Sequence, residues 1–229
     1  MAGKQKLAHF AEMKTFPNVF EPETEEIFRK DYHTKGNWHK EVFKNDHPIV
    51  LELGCGKGEY SVGMARKFPM KNFVGCDIKG ARMWRGAKTS QEEGINNVAF
   101  FRTRIEFIEG GFAENEVDEI WITFPDPQPK DRQEKKRLSG PLFIERYKKF
   151  LKKGGTIHLK TDSEFFFRFT LDEIKERGYE LLEHTFDLYG DAVNNYDQDT
   201  KDILSIKTHY EKIFSDKGFK INYLKFKVH

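Results

Sequence analysis

The segment between residues 49 and 59 reads Ile49-Val50-Leu51-Glu52-Leu53-Gly54-Cys55-Gly56-Lys57-Gly58-Glu59. Its mostly apolar first half predicts a strand, its glycines predict a tight turn, and a helical pattern starts at Glu59. A strand that passes through a glycine-rich turn into a helix brings backbone N–H groups and a helix N-terminus close to a ligand. The segment therefore predicts an α/β fold with a binding site at the tip of this strand.

The acidic residue inside this strand indicates which ligand class fits. A dinucleotide-binding fingerprint requires G-x-G-x-x-G, and Glu59 stands where its third glycine would be. The carboxylate of Glu52 would repel a pyrophosphate, whereas it can pair with an ammonium group. Asp77, at the tip of the next predicted strand, can accept hydrogen bonds from both hydroxyls of a ribose. S-adenosyl-L-methionine, an adenosyl ligand that carries an amino acid, satisfies both acids. The alternative is that Glu52 is a salt-bridged strand residue and that the glycines only form a turn.

The alternation of strands and helices continues along the chain. Strands are predicted at residues 49–53, 73–78, 98–104, 119–124, 156–160, 181–188 and 222–227. Helices are predicted at residues 59–67, 81–93, 142–151, 163–177 and about 205–217, with glycines at 94, 154–155 and 178 ending the helices before them. This order predicts a Rossmann-like, mostly parallel seven-stranded sheet with helices on both faces and an antiparallel last strand.

The N-terminal part differs from the rest in composition. Residues 1–46 are polar and irregular, with Pro17 and Pro22 as breakers, so we predict an N-terminal arm or cap there. A single α/β domain is expected from residue 47 to residue 229. The polar segment 190–202 is either a lid or an ordinary exposed connection.

The composition of the 229-residue chain excludes several classes of protein. Its net charge of +2 is small, so a nucleic-acid surface would have to come from a local cluster of cations. It contains no run of about 18 apolar residues and no signal-peptide core, which predicts a cytoplasmic protein without membrane contact. Its histidines and cysteines do not have metal-ligand spacing, so no metal is expected. A monomer and a homodimer both remain open.

A proline-rich segment follows the fourth predicted strand and reads Phe124-Pro125-Asp126-Pro127-Gln128-Pro129-Lys130. Its prolines restrict their own φ and that of each preceding residue, so we expect Asp126 on a stiff, extended backbone at a strand tip. The cations beside this carboxylate favour a polyanion as partner. They are Lys130, Arg132, Lys135, Lys136 and Arg137. The alternative is a proline-rich turn followed by a solvated charge run.

Five segments, in order, resemble the bacterial tRNA (guanine-N7-)-methyltransferase family. They are Leu51 to Gly58, Gly75-Cys76-Asp77, Phe124 to Lys130, Lys160-Thr161-Asp162 and Thr208-His209-Tyr210-Glu211, and the stretch from Phe16 to Pro22 resembles the leader of the family. The resemblance spans nearly the whole chain. It implies a class I methyltransferase fold and transfer of a methyl group from S-adenosyl-L-methionine to N7 of a guanine. That guanine lies at position 46, in the variable loop of tRNA, and the product is 7-methylguanosine.

The resemblance also implies roles for individual residues. Binding of the methyl donor is implied for Glu52, Gly54, Gly56, Asp77 and Asp126, of which Asp126 is also the catalytic candidate at the reaction centre. Contact with the tRNA guanine is implied for Lys130, Asp162, Thr208, Tyr210 and Glu211, while Arg132, Lys135, Lys136 and Arg137 are expected on the RNA backbone. The chain departs from the family at Gln128, where Trp is usual, and at Arg104, where an acid or amide is usual.

Guanine N7 carries no proton, so its methylation needs no general base and positioning should dominate. A carboxylate near the purine would stabilise the positive charge that the ring gains, and Asp126 is the first candidate with Asp162 second. Both carboxylates could instead accept hydrogen bonds from the guanine. Thr208 and Glu211 also have the spacing of a capping box, in which Thr208 starts a helix and Glu211 reaches back to it.

Three other functions remain as alternatives. One is a methyltransferase that acts on another nitrogen, although Asp126-Pro127-Gln128-Pro129 lacks the adjacent second proline and the aromatic residue typical of that class. The second is a non-catalytic RNA-binding protein on a methyltransferase scaffold. A nicotinamide-dependent dehydrogenase is the third, and the glycine spacing disfavours it.

Overall fold

The computed structural model describes residues 3–190 and 196–229, without the side chains of residues 3, 4, 209, 210 and 214. The chain forms two compact units, Met1–Ala113 and Glu114–His229. None of the helices within these described ranges is both long and apolar enough to cross a bilayer.

The first unit contains a parallel sheet flanked by helices. Its strands are β1 (Val19–Phe20), β2 (Ile49–Leu53), β3 (Asn72–Cys76) and β4 (Val98–Phe101). Its α-helices are α1 (Gly3–Met13), α2 (Thr24–Ile27), α3 (Glu59–Lys67) and α4 (Gly80–Glu92). The strands lie in the order β1-β4-β3-β2, and each pairs in parallel with its neighbour. Every residue of β2, β3 and β4 is buried, which is the burial expected of a parallel sheet covered on both faces.

Close packing around two glycines fixes the turn between β2 and α3. Gly58 has a φ of +72°, and a Cβ there would lie only 2.6 Å from the ring of Phe100. A Cβ on Gly86 of α4 would lie 2.9 Å from the Cα of Gly58. At Gly58, which directly precedes α3, and at Gly86 of α4, the neighbouring atoms leave no room for a side chain. This explains why the sequence places glycine at both positions.

The second unit is a mixed sheet with helices. Its strands are β5 (Val117–Thr123), β6 (Leu151–Thr161), β7 (Glu180–Thr185) and β8 (Asn222–Lys227), in the order β5-β6-β8-β7. Its α-helices are α5 (Pro141–Tyr147), α6 (Glu164–Glu176), α7 (Gln198–Leu204) and α8 (His209–Asp216). Strands β5 and β6 are parallel, and β8 is antiparallel to both β6 and β7. The predicted antiparallel last strand is therefore confirmed.

The described residues contain eight strands rather than the predicted seven, and their N-terminal segment is more regular than expected. The additional strand is β1, a two-residue strand that pairs with β4. Helix α1 packs on α4, where Glu12 accepts hydrogen bonds from Trp84 Nε1 at 2.7 Å and from Lys88 Nζ at 2.9 Å. Partners so far along the chain leave no local signal in residues 1–46.

Several other boundaries also differ from the prediction, and two of these differences have a clear physical reason. Gly154 and Gly155 do not end a helix, because α5 stops at Tyr147 and both glycines lie inside β6. The pairing of β5 with β6 shifts between Val117 and Glu119, and Gly154 has a φ of +82° there. These glycines mark a β-bulge. The helix predicted near 205–217 begins at His209, and the short helix α7 precedes it.

Candidate active site

Glu52 is a buried carboxylate in the middle of β2, with 2% of its surface exposed. Ser61, on the facing side of α3, donates a hydrogen bond from Oγ to Glu52 Oε2. Burying a carboxylate is unfavourable unless hydrogen bonds or charges compensate it. Its position directly before the glycine turn is consistent with an ammonium group as ligand.

The glycine turn and Asp77 form one hydrogen-bonded unit. The N–H of Gly54 donates to the carbonyl of Cys76 at 2.8 Å, which ties the turn to the end of β3. Asp77 accepts from the N–H of Gly56 at 3.0 Å on one carboxylate oxygen and from the N–H of Lys79 at 2.8 Å on the other. The remaining lone pairs of this carboxylate can accept hydrogen bonds from ribose hydroxyls.

The turn also leaves room for a ligand to approach its backbone. Gly54 and Gly56 have φ values of +77° and +56°, in the left-handed region. A Cβ on Gly54 would meet no atom within 4 Å, and one on Gly56 would meet only the carbonyl oxygen of Gly54 at 3.9 Å. This open space beside Glu52 and Asp77 fits the amino-acid and ribose groups of S-adenosyl-L-methionine.

The proline-rich segment after β5 has an unexpected backbone. Phe124 and Gln128 adopt φ values of +47° and +48°. Both residues precede a proline, so they stay out of the right-handed helical region as expected, but their φ is left-handed rather than extended. Asp126 lies between them with an exposed side chain, and its Oδ1 accepts a hydrogen bond from the N–H of Gln128 at 3.2 Å. The carboxylate is held by a local turn and still faces solvent.

Asp162 follows β6 and is half-buried. It lines a cavity of about 710 Å³ whose other lining residues are Pro127, Ser163, Glu164, Arg168, Phe186, Gly218, Phe219, Lys220 and Asn222. Burial raises the pKa of the Asp162 carboxyl above its ordinary value. A carboxylate beside partly exposed phenylalanine rings can accept hydrogen bonds from a base while a ring stacks on it.

Lys160, two residues before Asp162, forms a hydrogen-bonded network with Glu211 and Tyr189, of which Tyr189 is 39% exposed. The side chains of Lys160 and Glu211 are fully buried, and Lys160 Nζ lies 2.9 Å from Glu211 Oε1. The Nζ also donates to the carbonyls of Leu204 at 2.9 Å and Ile206 at 3.2 Å, while the Tyr189 hydroxyl donates to Glu211. Burial lowers the pKa of Lys160 to about 8, even though the Glu211 carboxylate acts in the opposite direction.

Known proteins that resemble this chain indicate the family to which it belongs. A family model described as a putative methyltransferase matches residues 46–224. The chain is 53% identical to the tRNA (guanine-N(7)-)-methyltransferase of Christiangramia forsetii over 100% of both chains. It is 53% identical to that of Bacteroides fragilis, over 98% of this chain and 86% of the relative.

The chain belongs to the tRNA (guanine-N7)-methyltransferase family. Solved structures support the fold at much lower identity. The 16S rRNA methyltransferase KamB superposes with a TM-score of 0.61 at 13% identity, covering 82% of this chain and 91% of KamB. An antibiotic-related methyltransferase gives a TM-score of 0.59 at 16% identity, with 87% and 96% covered. The chain therefore has the Rossmann-like fold of class I methyltransferases.

The Thr208 and Glu211 pair forms the predicted capping box. The N–H of Glu211 donates to Thr208 Oγ1 at 3.2 Å, and the N–H of Thr208 donates to Glu211 Oε2 at 3.4 Å. Glu211 is 0% exposed and Lys160 pairs with its carboxylate, and the predicted contact of Glu211 with guanine stays a prediction. Thr208 is half-buried, and the side chain of Tyr210 lies outside the described part of the structure.

The basic segment, residues 130–137, contains four exposed cations and a buried one. It forms a 3-10 helix, Asp131–Lys136, that contains no buried residue, and the four cations Lys130, Arg132, Lys135 and Lys136 are exposed. Arg137 is only 4% exposed, and its Nε donates to the carbonyl of Gln128 at 3.2 Å. The prediction that Arg137 contacts the RNA backbone therefore needs correction. Its guanidinium lies inside the protein rather than in solvent.

Sequence reasoning did not single out Lys160 and Tyr189, whose side chains both contact Glu211. A lysine in a strand expected to be buried was the available signal for Lys160, because lysine is rarely buried without a partner. Tyr189 gave no such signal. Within the described ranges, no group of three or more His, Cys, Asp or Glu side chains could hold a metal ion.

Proposed function

We propose that this protein transfers a methyl group from S-adenosyl-L-methionine to N7 of the guanine at position 46 of tRNA, in the variable loop, and so forms 7-methylguanosine. The observation that carries the proposal is the identity of 53% over the full length of a tRNA (guanine-N(7)-)-methyltransferase. The donor-binding turn and the Asp126 segment described above support it.

The first unit provides the residues proposed to bind the donor. S-adenosyl-L-methionine supplies a methyl group bound to a positively charged sulfur. The buried carboxylate of Glu52 would pair with its ammonium group, and Asp77 would accept hydrogen bonds from its ribose hydroxyls. Gly54 and Gly56 would let the ligand approach the backbone of the turn, where a Cβ would fill the space.

The second unit provides the residues proposed to act on the guanine. N7 has an in-plane lone pair and no proton, so no residue has to serve as a general base. The purine gains positive charge as it is methylated, and the exposed carboxylate of Asp126 would stabilise that charge. Asp162 would accept hydrogen bonds from N1–H and the exocyclic amine of the base. Phe186 and Phe219 border the same cavity and would offer faces for stacking.

The four exposed cations of the basic segment are proposed to contact phosphates: Lys130, Arg132, Lys135 and Lys136. Phosphate contacts of this kind position an RNA without reading its sequence. We further propose that the protein acts in the cytoplasm, as a monomer or a homodimer, with residues 1–46 as a cap on a catalytic domain formed by residues 47–229. Thr208 would contribute by fixing the start of α8.

The experiment that tests this function uses labelled S-adenosyl-L-methionine and unmodified bulk tRNA, followed by nucleoside analysis of the product. A tRNA with adenine at position 46 is the matched control. Label in 7-methylguanosine, absent from the control, is the expected result. No transfer despite measurable donor binding would favour the RNA-binding protein without catalysis, and label in another nucleoside would favour a different nitrogen substrate.

A further inference from the structure

The backbone around Asp126 is held in an uncommon conformation. Phe124 and Gln128, on either side of it, both have left-handed φ values although neither is glycine. Such residues persist only where the surrounding structure holds them, and they concentrate at functional sites. Pro125, Pro127 and Pro129 have no N–H, so this segment can make few backbone hydrogen bonds of its own. Phe124 keeps one, from its N–H to the carbonyl of Lys160 at 2.8 Å, and side chains have to hold the part that follows.

Arg137 provides that hold. Its Nε donates to the carbonyl oxygen of Gln128 at 3.2 Å, and its guanidinium carbon lies 4.9 Å and 4.5 Å from the ring centroids of Phe165 and Phe169. Both rings belong to α6, and Arg137 NH1 lies 3.7 Å from Glu134. The arginine thus connects a helix of the second unit with the peptide carbonyl two residues beyond the proposed catalytic acid.

The hydrogen bonds around Gln128 continue to Asp126. Arg137 holds the carbonyl of Gln128, and the N–H of the same residue donates to Asp126 Oδ1 at 3.2 Å. Both contacts use the backbone of Gln128. The identity of this side chain therefore matters little to the arrangement, which explains how the chain accommodates glutamine where its family usually has tryptophan.

We infer that Arg137 is a positioning residue, which fixes the left-handed conformation of Gln128 and thereby orients the Asp126 carboxylate. The inference rests on the proposed function, since it concerns the role of Asp126 in methyl transfer. It gives Arg137 a role different from that of the exposed cations before it. Lysine cannot replace this arginine, because an ammonium group lacks the planar guanidinium that donates from Nε while stacking on the two rings.

The test compares Arg137→Lys with two other variants by steady-state methylation of tRNA at saturating donor. A misplaced reacting group can cost up to about 100-fold in rate, so we expect Arg137→Lys to lower kcat by about 10- to 100-fold. The KM for tRNA and the salt dependence of tRNA binding should change little. Arg177→Lys makes the same chemical change at an exposed end of α6, and it should leave kcat and KM as in the wild type. Lys136→Gln should show the opposite signature, with weaker tRNA binding and a smaller salt slope.

Arg137 is buried, so its loss can also lower the melting temperature. Gln128→Asn in the Arg137→Lys chain separates the two effects, because asparagine adopts left-handed φ values more readily than glutamine. This second substitution should recover part of the lost kcat without restoring the contacts with Phe165 and Phe169. A kcat defect that it does not relieve would be a general packing defect and would overturn the inference.

Other outcomes also decide the matter. A wild-type kcat in Arg137→Lys would refute the positioning role, and a reduced salt slope in that variant would return Arg137 to the phosphate contacts. These outcomes differ from failure of the proposed function itself, in which the wild-type protein would transfer no methyl group to tRNA. That last result would refute the inference together with the function.

Discussion

Two carboxylates, one in each unit of the molecule, are held by different means. In the first unit, Asp77 accepts hydrogen bonds from the backbone N–H groups of Gly56 and Lys79. In the second unit, Glu211 is held by Lys160, which lies 51 residues earlier in the chain. The difference teaches that the first arrangement depends on backbone N–H groups at the ends of two neighbouring strands, whereas the second depends on the tertiary packing of side chains. The two should therefore fail in different ways when they are mutated.

Loss of the buried lysine should cause the largest effect. Lys160→Met leaves the Glu211 carboxylate buried without its cation, which typically lowers the free energy of unfolding by about 3–5 kcal/mol. Urea unfolding followed by circular dichroism measures this change. Lys175→Met, at an exposed position of α6, is the control. Adding Glu211→Met to the Lys160→Met chain should recover much of the loss, and a loss below about 1 kcal/mol in the single variant would contradict a side-chain-dependent second unit.

The pH dependence of stability sharpens the same point. The pKa of Lys160 is about 8 in the folded protein against an ordinary value of 10.5, so between these values the unfolded chain binds more protons at this site. The cost of charging the buried lysine is fully present below pH 8 and is relieved as the pH rises towards 10.5. The free energy of unfolding, relative to the Lys160→Met/Glu211→Met double variant, should therefore increase over this range. A flat or falling difference would contradict the lowered pKa.

Substitution of Asp126, the proposed catalytic residue, should affect the rate without affecting stability. Asp126→Asn removes the charge but keeps the shape, and loss of an electrostatic group of this kind typically lowers kcat by about 100- to 1000-fold. The KM for tRNA and the Kd for the donor should stay within about twofold, because the proposed role lies in the transition state. Asp131→Asn, an exposed acid in the neighbouring 3-10 helix, is the matched control for single-turnover kinetics. An unchanged kcat in Asp126→Asn would remove this residue from the mechanism.

In the first unit, substitution of Asp77 should lower the affinity for S-adenosyl-L-methionine. Asp77→Asn keeps one acceptor oxygen but turns an amide group towards one of the two backbone N–H donors. A lost hydrogen bond to a charged group costs about 1.5–3 kcal/mol, so we expect donor binding at least about 10-fold weaker by calorimetry. Asp46→Asn, at an exposed position of the same unit, should bind the donor as the wild type does. Equal donor affinity in Asp77→Asn would argue against its proposed contact with the ribose.

The smallest effect is expected for the exposed cations. Replacing Lys135 and Lys136 by glutamine should lower the slope of log K against log salt by about 0.7–0.9 for each lost phosphate contact. Anisotropy of labelled tRNA over a potassium chloride series measures it. Lys149→Gln with Lys175→Gln removes the same charge from exposed positions outside the basic segment. If both pairs change the slope equally, the effect is one of net charge rather than of particular contacts.

The elements specified by local sequence were predicted well. β2 and α3 have the predicted boundaries, because an apolar run, the glycine turn and a helical pattern follow one another without interruption. The same locality allowed Glu52 and Asp77 to be chosen as candidates, and their roles stay predictions. Gly154 and Gly155 were misinterpreted, because a glycine pair after a helical pattern ends a helix or forms a bulge according to how neighbouring strands pair.

The errors in the second unit come from long-range partners. Arg137 belongs by sequence to a run of exposed cations, and its contacts with Phe165, Phe169 and the carbonyl of Gln128 distinguish it from them. Glu211 has the spacing of a capping box, which forms as the sequence allows, but its burial depends on Lys160. A single sequence does not contain these distances. Such partners become visible only when the strands and helices are assembled.

The short strand β1 determines how far the protein can be shortened at its N-terminus without exposing a sheet edge. The carbonyl of Asn18, just before β1, accepts a hydrogen bond from the N–H of Phe100, and the carbonyl of Phe20, within β1, accepts one from the N–H of Arg102, at 2.8 Å each. Without these partners, the outer side of β4 would present unpaired N–H groups along an apolar strand, which is a template for pairing with other chains. A chain that starts at residue 46 would keep residues 46–224, which the family model matches, but it would tend to aggregate. The N-terminal segment thus protects the sheet edge from pairing with other chains.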